Sequence, residues 1–181
     1  MEFMKKLLSC IFCWKVDASK DEEIRRSDVV IALSFGLGKN GMGMSNLQLA
    51  FAAEDVCDRY NIPVIAQWEI ADSHLLTDTY KAGVVREHRV EGKYLDTREV
   101  LEQAAAICAK EGWKKAIIVA HPDHLWRCAE AAKKFGFEVA IADTSCVVYD
   151  EGSVQSWTRS RSKFVPREIA ARLLYLCKGW I

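Results

Sequence analysis

The residues with the clearest capacity for chemistry lie in the stretch VAHPDHLWRCAEA, from Val119 to Ala131. A short apolar run leads into it, and His121, Asp123, His124 and Arg127 then follow in close succession. Histidine titrates near neutral pH, and a guanidinium can hold a phosphate or carboxylate through two parallel hydrogen bonds. We therefore predict acid–base chemistry at His124, with His121 as a second catalytic candidate, and an anion-binding role for Arg127.

Polar residues also follow the other apolar runs of the chain. In an open parallel sheet, ligands bind beyond the carboxyl ends of the strands, so residues at these ends are expected to share one rim. Glu91 is a further candidate for acid–base chemistry beside His124. The predicted ligand-binding residues are Ser34, Gly36, Gly38, Asn46, Gln67, Glu69, Thr97, Asp123 and Arg127.

The loop FGLGKNGMG follows the first apolar run and is rich in glycine. It lacks the Lys-Ser/Thr pair of a Walker loop, and no acidic residue ends the second strand as in a dinucleotide-binding fingerprint. One interpretation is a backbone approach to phosphate or ribose, and the other is a flexible strand-to-helix turn. Ser45 is predicted to cap the helix that follows. Asp123, taken alone, is predicted to be a helix N-cap.

The elements that must position these residues alternate between strand and helix. Short, nearly continuous apolar runs are typical of a parallel sheet that is covered on both faces. Asp96 or Thr97 is predicted to cap a helix, with Glu99 as the capping-box partner of Asp96. Pro166 is predicted in the first turn of the last helix. The predicted strands span 28–34, 62–68, 84–90, 114–120 and 137–143, and the predicted helices include 46–60, 96–111 and 123–135.

This order predicts an α/β fold, a doubly wound and mainly parallel sheet of about five strands in a single domain. The domain spans 1–181, with an N-terminal helical extension at 1–27 and a core at 28–143. A loop and a C-terminal helix follow at 144–181. The polar part of this last region, with Trp157 and three nearby cations, is expected to be either solvated or folded over the rim as a lid.

Composition narrows the classes of partner and location. The 181 residues carry a formal net charge of zero, which does not favour nucleic acid. Seven scattered cysteines predict reduced thiols in a cytoplasmic protein. The apolar segment 7–14 is shorter than the roughly 20 residues that cross a bilayer. We predict no membrane span, and instead an amphipathic first helix that packs Leu7, Leu8, Ile11 and Trp14 on the domain.

Three segments together resemble the YdcF/SanA/ElyC-like family, a bacterial domain of unknown function. They are ALSFGLG, EGKYLDTREV and VAHPDHLWRCAE, and the resemblance spans roughly residues 28–139. The chain keeps Glu91, Thr97, Glu99, His124 and Arg127 of the family pattern. It departs from that pattern at Tyr94, Val100, Ala120, His121, Leu125 and Trp126.

The resemblance implies a Rossmann-like fold and, in some relatives, binding of S-adenosylmethionine. Membrane-anchored relatives are linked to cell-envelope polysaccharide or peptidoglycan metabolism. The resemblance implies no settled reaction for the family.

Three functions follow as hypotheses. The first is an enzyme or binding protein for a nucleotide-like or phosphorylated small molecule, with S-adenosylmethionine as a ligand suggested by the resemblance. The second is a metal-dependent hydrolase, because AHPDH is similar to the AHPDD zinc motif of LmbE-like deacetylases. His121, Asp123 and His124, with Glu69, would hold zinc in that case. The third is a non-catalytic sensor or scaffold.

Overall fold

The structure is a computed structural model that describes residues 2–39, 41–90 and 94–181. The strands of the sheet are short, and all of them run parallel in the spatial order β3-β2-β1-β4-β5. This order is that of a doubly wound, Rossmann-like α/β fold, as predicted. The strands are β1 (Val29–Ala32), β2 (Val64–Gln67), β3 (Lys81–Val85), β4 (Lys115–Val119) and β5 (Glu138–Ile141).

Helices cover both faces of the sheet. Along β1, Val29 and Ile31 face one apolar cluster and Val30 and Ala32 face the other, because successive strand residues point in opposite directions. The helices are α1 (Glu2–Phe12), α2 (Asp21–Arg25), α3 (Met44–Tyr60), α4 (Trp68–Ala71), α5 (Thr97–Glu111), α6 (Pro122–Lys134) and α7 (Arg161–Cys177). The first cluster includes residues of α1, α5, α6 and α7, and the second includes residues of α2, α3 and α4.

The start of α5 forms as the sequence predicts. Asp96 is the N-cap, its side chain accepts a hydrogen bond from the Glu99 N–H, and the Glu99 carboxylate accepts one from the Asp96 N–H. This capping box fixes the first turn of α5, so Thr97 is held at a defined position. Gly112 ends the helix in the left-handed conformation at φ +75°.

Several predicted boundaries are wrong. The third strand is Lys81–Val85, because its register on β2 begins at Lys81, while the alternating segment 86–90 has no strand partner. Trp68 belongs to α4 rather than to β2. α7 begins at Arg161, which places Pro166 beyond the first turn. In α1, Leu8 and Ile11 are exposed, and Leu7 and Cys10 pack on the core instead.

The glycine-rich loop after β1 is held by Asn46 of α3. The Asn46 Oδ1 accepts the Phe35 N–H at 2.8 Å, and its Nδ2 donates to the Gly36 carbonyl at 2.9 Å. Gly36 has φ +76°, and a Cβ there would lie 2.6 Å from the Thr158 Oγ1. Gly36 is therefore required both by its backbone conformation and by the close approach of the 144–160 segment.

We expect Asn46→Leu to lower the free energy of unfolding by about 3 kcal/mol, because it leaves a buried N–H and a buried carbonyl unpaired. Denaturation by urea at equilibrium measures the change. Phe51→Ala is the matched control, since Phe51 is exposed on the same helix and should change stability much less. Equal losses in the two variants would contradict a clamping role for Asn46.

Candidate functional site

A cleft of about 260 Å³ opens where the carboxyl ends of β1 and β2 meet the N-terminus of α5. Helices α6 and α7 form its floor, and the 144–160 segment forms the opposite wall. Six of the predicted site residues line it: Ser34, Gly36, Gln67, Thr97, His124 and Arg127. The cleft therefore lies beyond the strand ends, where the sequence predicts a site.

The floor of the cleft is an ion pair between Arg127 of α6 and Glu168 of α7. Arg127 donates to the Glu168 carboxylate through Nε at 3.0 Å and through Nη2 at 2.9 Å. Glu168 is almost fully buried, with 1 % of the residue exposed. Burial alone would raise the pKa of Glu168, but the Arg127 charge and hydrogen bonds hold that pKa well below its ordinary value. Glu168 is therefore ionised at neutral pH.

A second arginine, Arg172, shares the same carboxylate from one turn along α7. Its Nε donates to Glu168 Oε1 at 3.0 Å, and its Nη1 and Nη2 donate to the carbonyls of Cys13 and Asp123 at 2.7 and 2.9 Å. The guanidinium lies 4.2 Å from the centroid of the Trp14 ring. Arg172 is fully buried, so the cluster of Arg127, Arg172 and Glu168 carries one surplus positive charge inside the protein.

His124 and Thr97 sit between this cluster and the open cleft. The His124 Nε2 lies 3.2 Å from the Thr97 Oγ1, which also accepts a hydrogen bond from Arg127 Nη1 at 3.0 Å. Arg127 Nη2 lies 3.3 Å from His124 Nδ1 and can donate to it when Nδ1 carries no proton, whereas Glu168 Oε2 lies 3.4 Å from the same nitrogen and can accept its proton when Nδ1 carries one. Burial and then the Arg127 charge lower the pKa of His124, so the ring is neutral at neutral pH.

A chain of uncharged polar groups forms the wall at the strand ends. The Ser34 N–H donates to Gln67 Oε1 at 3.1 Å, and the Ser34 hydroxyl lies 3.3 Å from the Tyr94 hydroxyl. Gln67 Nε2 donates to Glu69 Oε1 at 3.4 Å. Glu69 lies behind this wall rather than in the cleft, and burial raises its pKa to about 7.

The opposite wall carries Gln155 and Trp157 from the 144–160 segment. This segment was expected to be either solvated or a lid, and it lies over the glycine-rich loop as a lid would. The Val154 N–H donates to the Leu37 carbonyl at 2.8 Å. Arg167 of α7 is exposed at the lip, with its guanidinium 4.1 Å from the centroid of the Trp157 ring.

Two predicted residues face away from the cleft. His121 is the N-cap of α6, and its ring stacks on Phe35 with the centroids 3.8 Å apart. Burial lowers the pKa of His121 to about 3. Asp123 accepts hydrogen bonds from the Tyr149 hydroxyl at 2.6 Å and from Arg161 Nε at 3.0 Å. The predicted N-cap was Asp123, and the structure gives that position to His121 because the helix begins at Pro122.

Asn46 and Gly38 also lie outside the cleft lining, since Asn46 clamps the loop and Gly38 packs against the Met42 backbone. Glu91, predicted as an acid–base group, lies outside the described residues.

The N-terminus of α3, where a dinucleotide-binding loop would hold phosphate, is occupied by the protein itself. The Met44 N–H donates to Asp150 Oδ2 at 3.0 Å. A Cβ at Gly43 would lie 2.5 Å from the same oxygen. Gly43 is the N-cap, and Ser45, the predicted cap, instead donates its hydroxyl to the Val148 carbonyl at 2.7 Å. The Asp150 carboxylate therefore closes the end of the glycine-rich loop that leads into α3.

The zinc set of the hydrolase hypothesis is not assembled. Within the described ranges, no group of three or more His, Cys, Asp and Glu side chains is arranged to hold a metal ion. The Asp123 carboxylate is taken by Tyr149 and Arg161, and His121 Nδ1 accepts the Asp123 N–H at 3.3 Å.

Sequence reasoning missed Glu168 and Arg172 because they come from a helix far along the chain. The spacing of residues within the last helix could have indicated this cluster. Phe164, Glu168, Arg172 and Tyr175 recur at helical intervals on the buried face of α7. Charged residues at two positions of an apolar stripe indicate a buried ion cluster.

We expect Glu168→Gln to lower the free energy of unfolding by about 4 kcal/mol at neutral pH, because it leaves two buried guanidinium groups without a carboxylate. The pKa of Glu168 is lower in the folded state, so its contribution is full above the unfolded pKa of 4.5 and is lost as pH falls below it. Urea denaturation across this range should show wild type and variant converging in acid. Glu111→Gln, at an exposed position, is the control.

For Glu69 we expect the contribution to stability to depend on pH in the opposite direction. The pKa of Glu69 is raised on folding from 4.5 to about 7, so its contribution is intact below pH 4.5 and is lost as pH rises through 7. Glu69→Gln should therefore be more stable than wild type by about 2 kcal/mol above that pH, and no more stable in acid. Thermal or urea unfolding above pH 7 and below pH 4.5 measures this difference in stability, with Glu111→Gln again as the control variant. No gain at high pH would show that the ionised Glu69 is stabilised in the folded protein.

Comparisons of the chain with family models, with curated proteins and with solved structures find no match. The resemblance to the YdcF/SanA/ElyC-like family therefore stays a prediction. Among the helices of the described residues, none is long and apolar enough to cross a membrane.

Proposed function

We propose that this chain binds a compact phosphorylated small molecule in the cleft. The observation that carries the proposal is Arg167, an exposed guanidinium at the lip that is held on the Trp157 ring. It makes no ion pair with any residue that the structure describes, so its charge is available to a ligand. Planar guanidinium groups match phosphate geometry with two parallel hydrogen bonds.

The floor of the cleft adds to this positive potential. Arg127, Arg172 and Glu168 leave one surplus positive charge, and at low local dielectric its effect on a nearby anion is strong. Four of the five N–H groups of Arg127 have partners on Glu168, Thr97 and His124. The remaining N–H on Nη1 is available to donate to a bound anion.

Thr97 supplies a directed hydroxyl. Its oxygen accepts a hydrogen bond from Arg127, and in this proposal His124 carries its proton on Nε2 and donates to the same oxygen. The hydroxyl proton of Thr97 therefore points away from these donors and can be given to a phosphate oxygen. In this proposal the neutral His124 orients Thr97 and transfers no proton, so the chain acts as a binding protein.

The size of the cleft favours a compact ligand. Its volume of about 260 Å³ lies just below the range of about 300–1,000 Å³ that is typical of sites for drug-sized molecules. A phosphate with a short carbon skeleton fits this space, whereas the base of a nucleotide would have to lie outside it.

The charged groups of the cleft that the structure describes favour a phosphate over S-adenosylmethionine. The sulfonium and amino groups of S-adenosylmethionine are cationic, so a free carboxylate would be their strongest partner. Glu168 is saturated by two arginines, and Asp96 is engaged in its capping box. The exposed charge that remains at the lip is itself positive.

The test is binding of ribose phosphate and pentyl phosphate, measured by isothermal titration and by thermal shift. We expect at least one to bind at submillimolar concentration, and Arg167→Gln to weaken that binding about tenfold, as loss of one charged hydrogen bond implies. Lys163→Gln is the matched control, because it removes a positive charge from the same helix without touching the cleft. Failure of both phosphates to bind, or equal effects of the two variants, would overturn the proposal.

A further inference from the structure

We infer that the ligand carries hydroxyl groups beside its phosphate, as a sugar phosphate or polyol phosphate does. This inference rests on the proposed function and concerns the same cleft. It comes from uncharged polar side chains that line the cleft above the charged floor, namely those of Ser34, Gln67, Tyr94 and Gln155.

The first observation is the unpaired side-chain oxygen of Gln155. The residue is 9 % exposed and lines the cleft, and its buried Oε1 has no hydrogen-bond partner in the described part of the chain. Its backbone is fixed, since its N–H donates to Ser153 Oγ at 3.2 Å and its carbonyl accepts from Thr158 Oγ1 at 2.9 Å. Buried amide oxygens in native proteins are nearly always paired, because an unpaired one costs about 1–3 kcal/mol. A ligand donor would remove this cost.

The facing wall supplies the second observation. The hydroxyls of Ser34 and Tyr94 lie 3.3 Å apart, and both residues line the cleft with Gln67. Each hydroxyl both donates and accepts hydrogen bonds. A ligand that pairs both with Gln155 Oε1 and with these hydroxyls must therefore donate and accept hydrogen bonds, and an alcohol does both.

Aromatic rings complete the wall between these polar groups. Trp157, Phe164 and Tyr175 line the cleft beside Gln155. The C–H groups of a short polyol or sugar can pack on such rings while its hydroxyls reach the amide and the hydroxyls. An unsubstituted alkyl chain would pack equally well, but it would leave Gln155 unpaired.

The experiment compares ribose phosphate with pentyl phosphate, which carries the same charge and a similar carbon chain without hydroxyl groups. Affinities are measured by isothermal titration on wild type and on Gln155→Met, a substitution of similar volume without hydrogen-bonding groups. We expect wild type to prefer ribose phosphate about tenfold, the difference that one or two hydrogen bonds provide. In Gln155→Met this preference should fall to about threefold or less, with affinity for pentyl phosphate retained.

Each possible result distinguishes failure of the inference from failure of the proposed function. Equal affinity of wild type for the two compounds would overturn the inference and leave the proposed function standing. A preference that persists in Gln155→Met would overturn the role of Gln155. If neither compound binds wild type at millimolar concentration, the proposed function fails and the inference fails with it. The comparison in wild type is decisive by itself, so poor folding of the variant would not obscure the result.

Discussion

The cleft depends on the ion pairs that the buried Glu168 carboxylate makes with Arg127 and Arg172. The carboxylate holds two arginines that would otherwise repel each other in the interior, and it joins α6 to α7 at the floor of the site. Such a buried cluster is stable only where the hydrogen bonds satisfy nearly all of the polar atoms. Arg172 meets this condition by also binding the carbonyls of Cys13 and Asp123, so the same cluster ties the end of α1 to the start of α6. Because α7 is held in this way, Arg167 is carried to the lip of the cleft and Phe164 to its wall.

The sequence predicted the sheet and about a third of the residues that line the cleft for one physical reason. Apolar runs bounded by polar residues identify parallel strands, and the carboxyl ends of parallel strands meet along one edge. Ser34, Gln67 and His124 could therefore be placed together without a structure. Glu168 and Gln155 do not directly follow a strand, so the strand-end rule could not place them. The position of α7 and of the 144–160 segment on the sheet depends on tertiary packing, which the local sequence pattern does not specify.

The stretch VAHPDHLWRCAEA shows a second limit of prediction from sequence. His121, Asp123, His124 and Arg127 are close in sequence, yet only the last two face the cleft. The helix begins at Pro122, so His121 turns inward onto Phe35, and Asp123 turns toward Tyr149 and Arg161. Residue types predict that a group can bind a ligand or a metal, whereas the exact start of the helix decides in which direction each group points.

The closed glycine-rich loop and the open cleft have a common origin in the 144–160 segment. Asp150 of this segment places a carboxylate at the N-terminus of α3, where a phosphate would gain from the helix dipole. A few residues later the same segment presents Gln155 and Trp157 to the cleft. The fold has thus filled one anion site with its own carboxylate, while positive charge accumulates on α6 and α7. Under the proposed function, an anionic ligand is therefore directed away from the glycine-rich loop and toward the cleft floor, which the last helix of the chain helps to build.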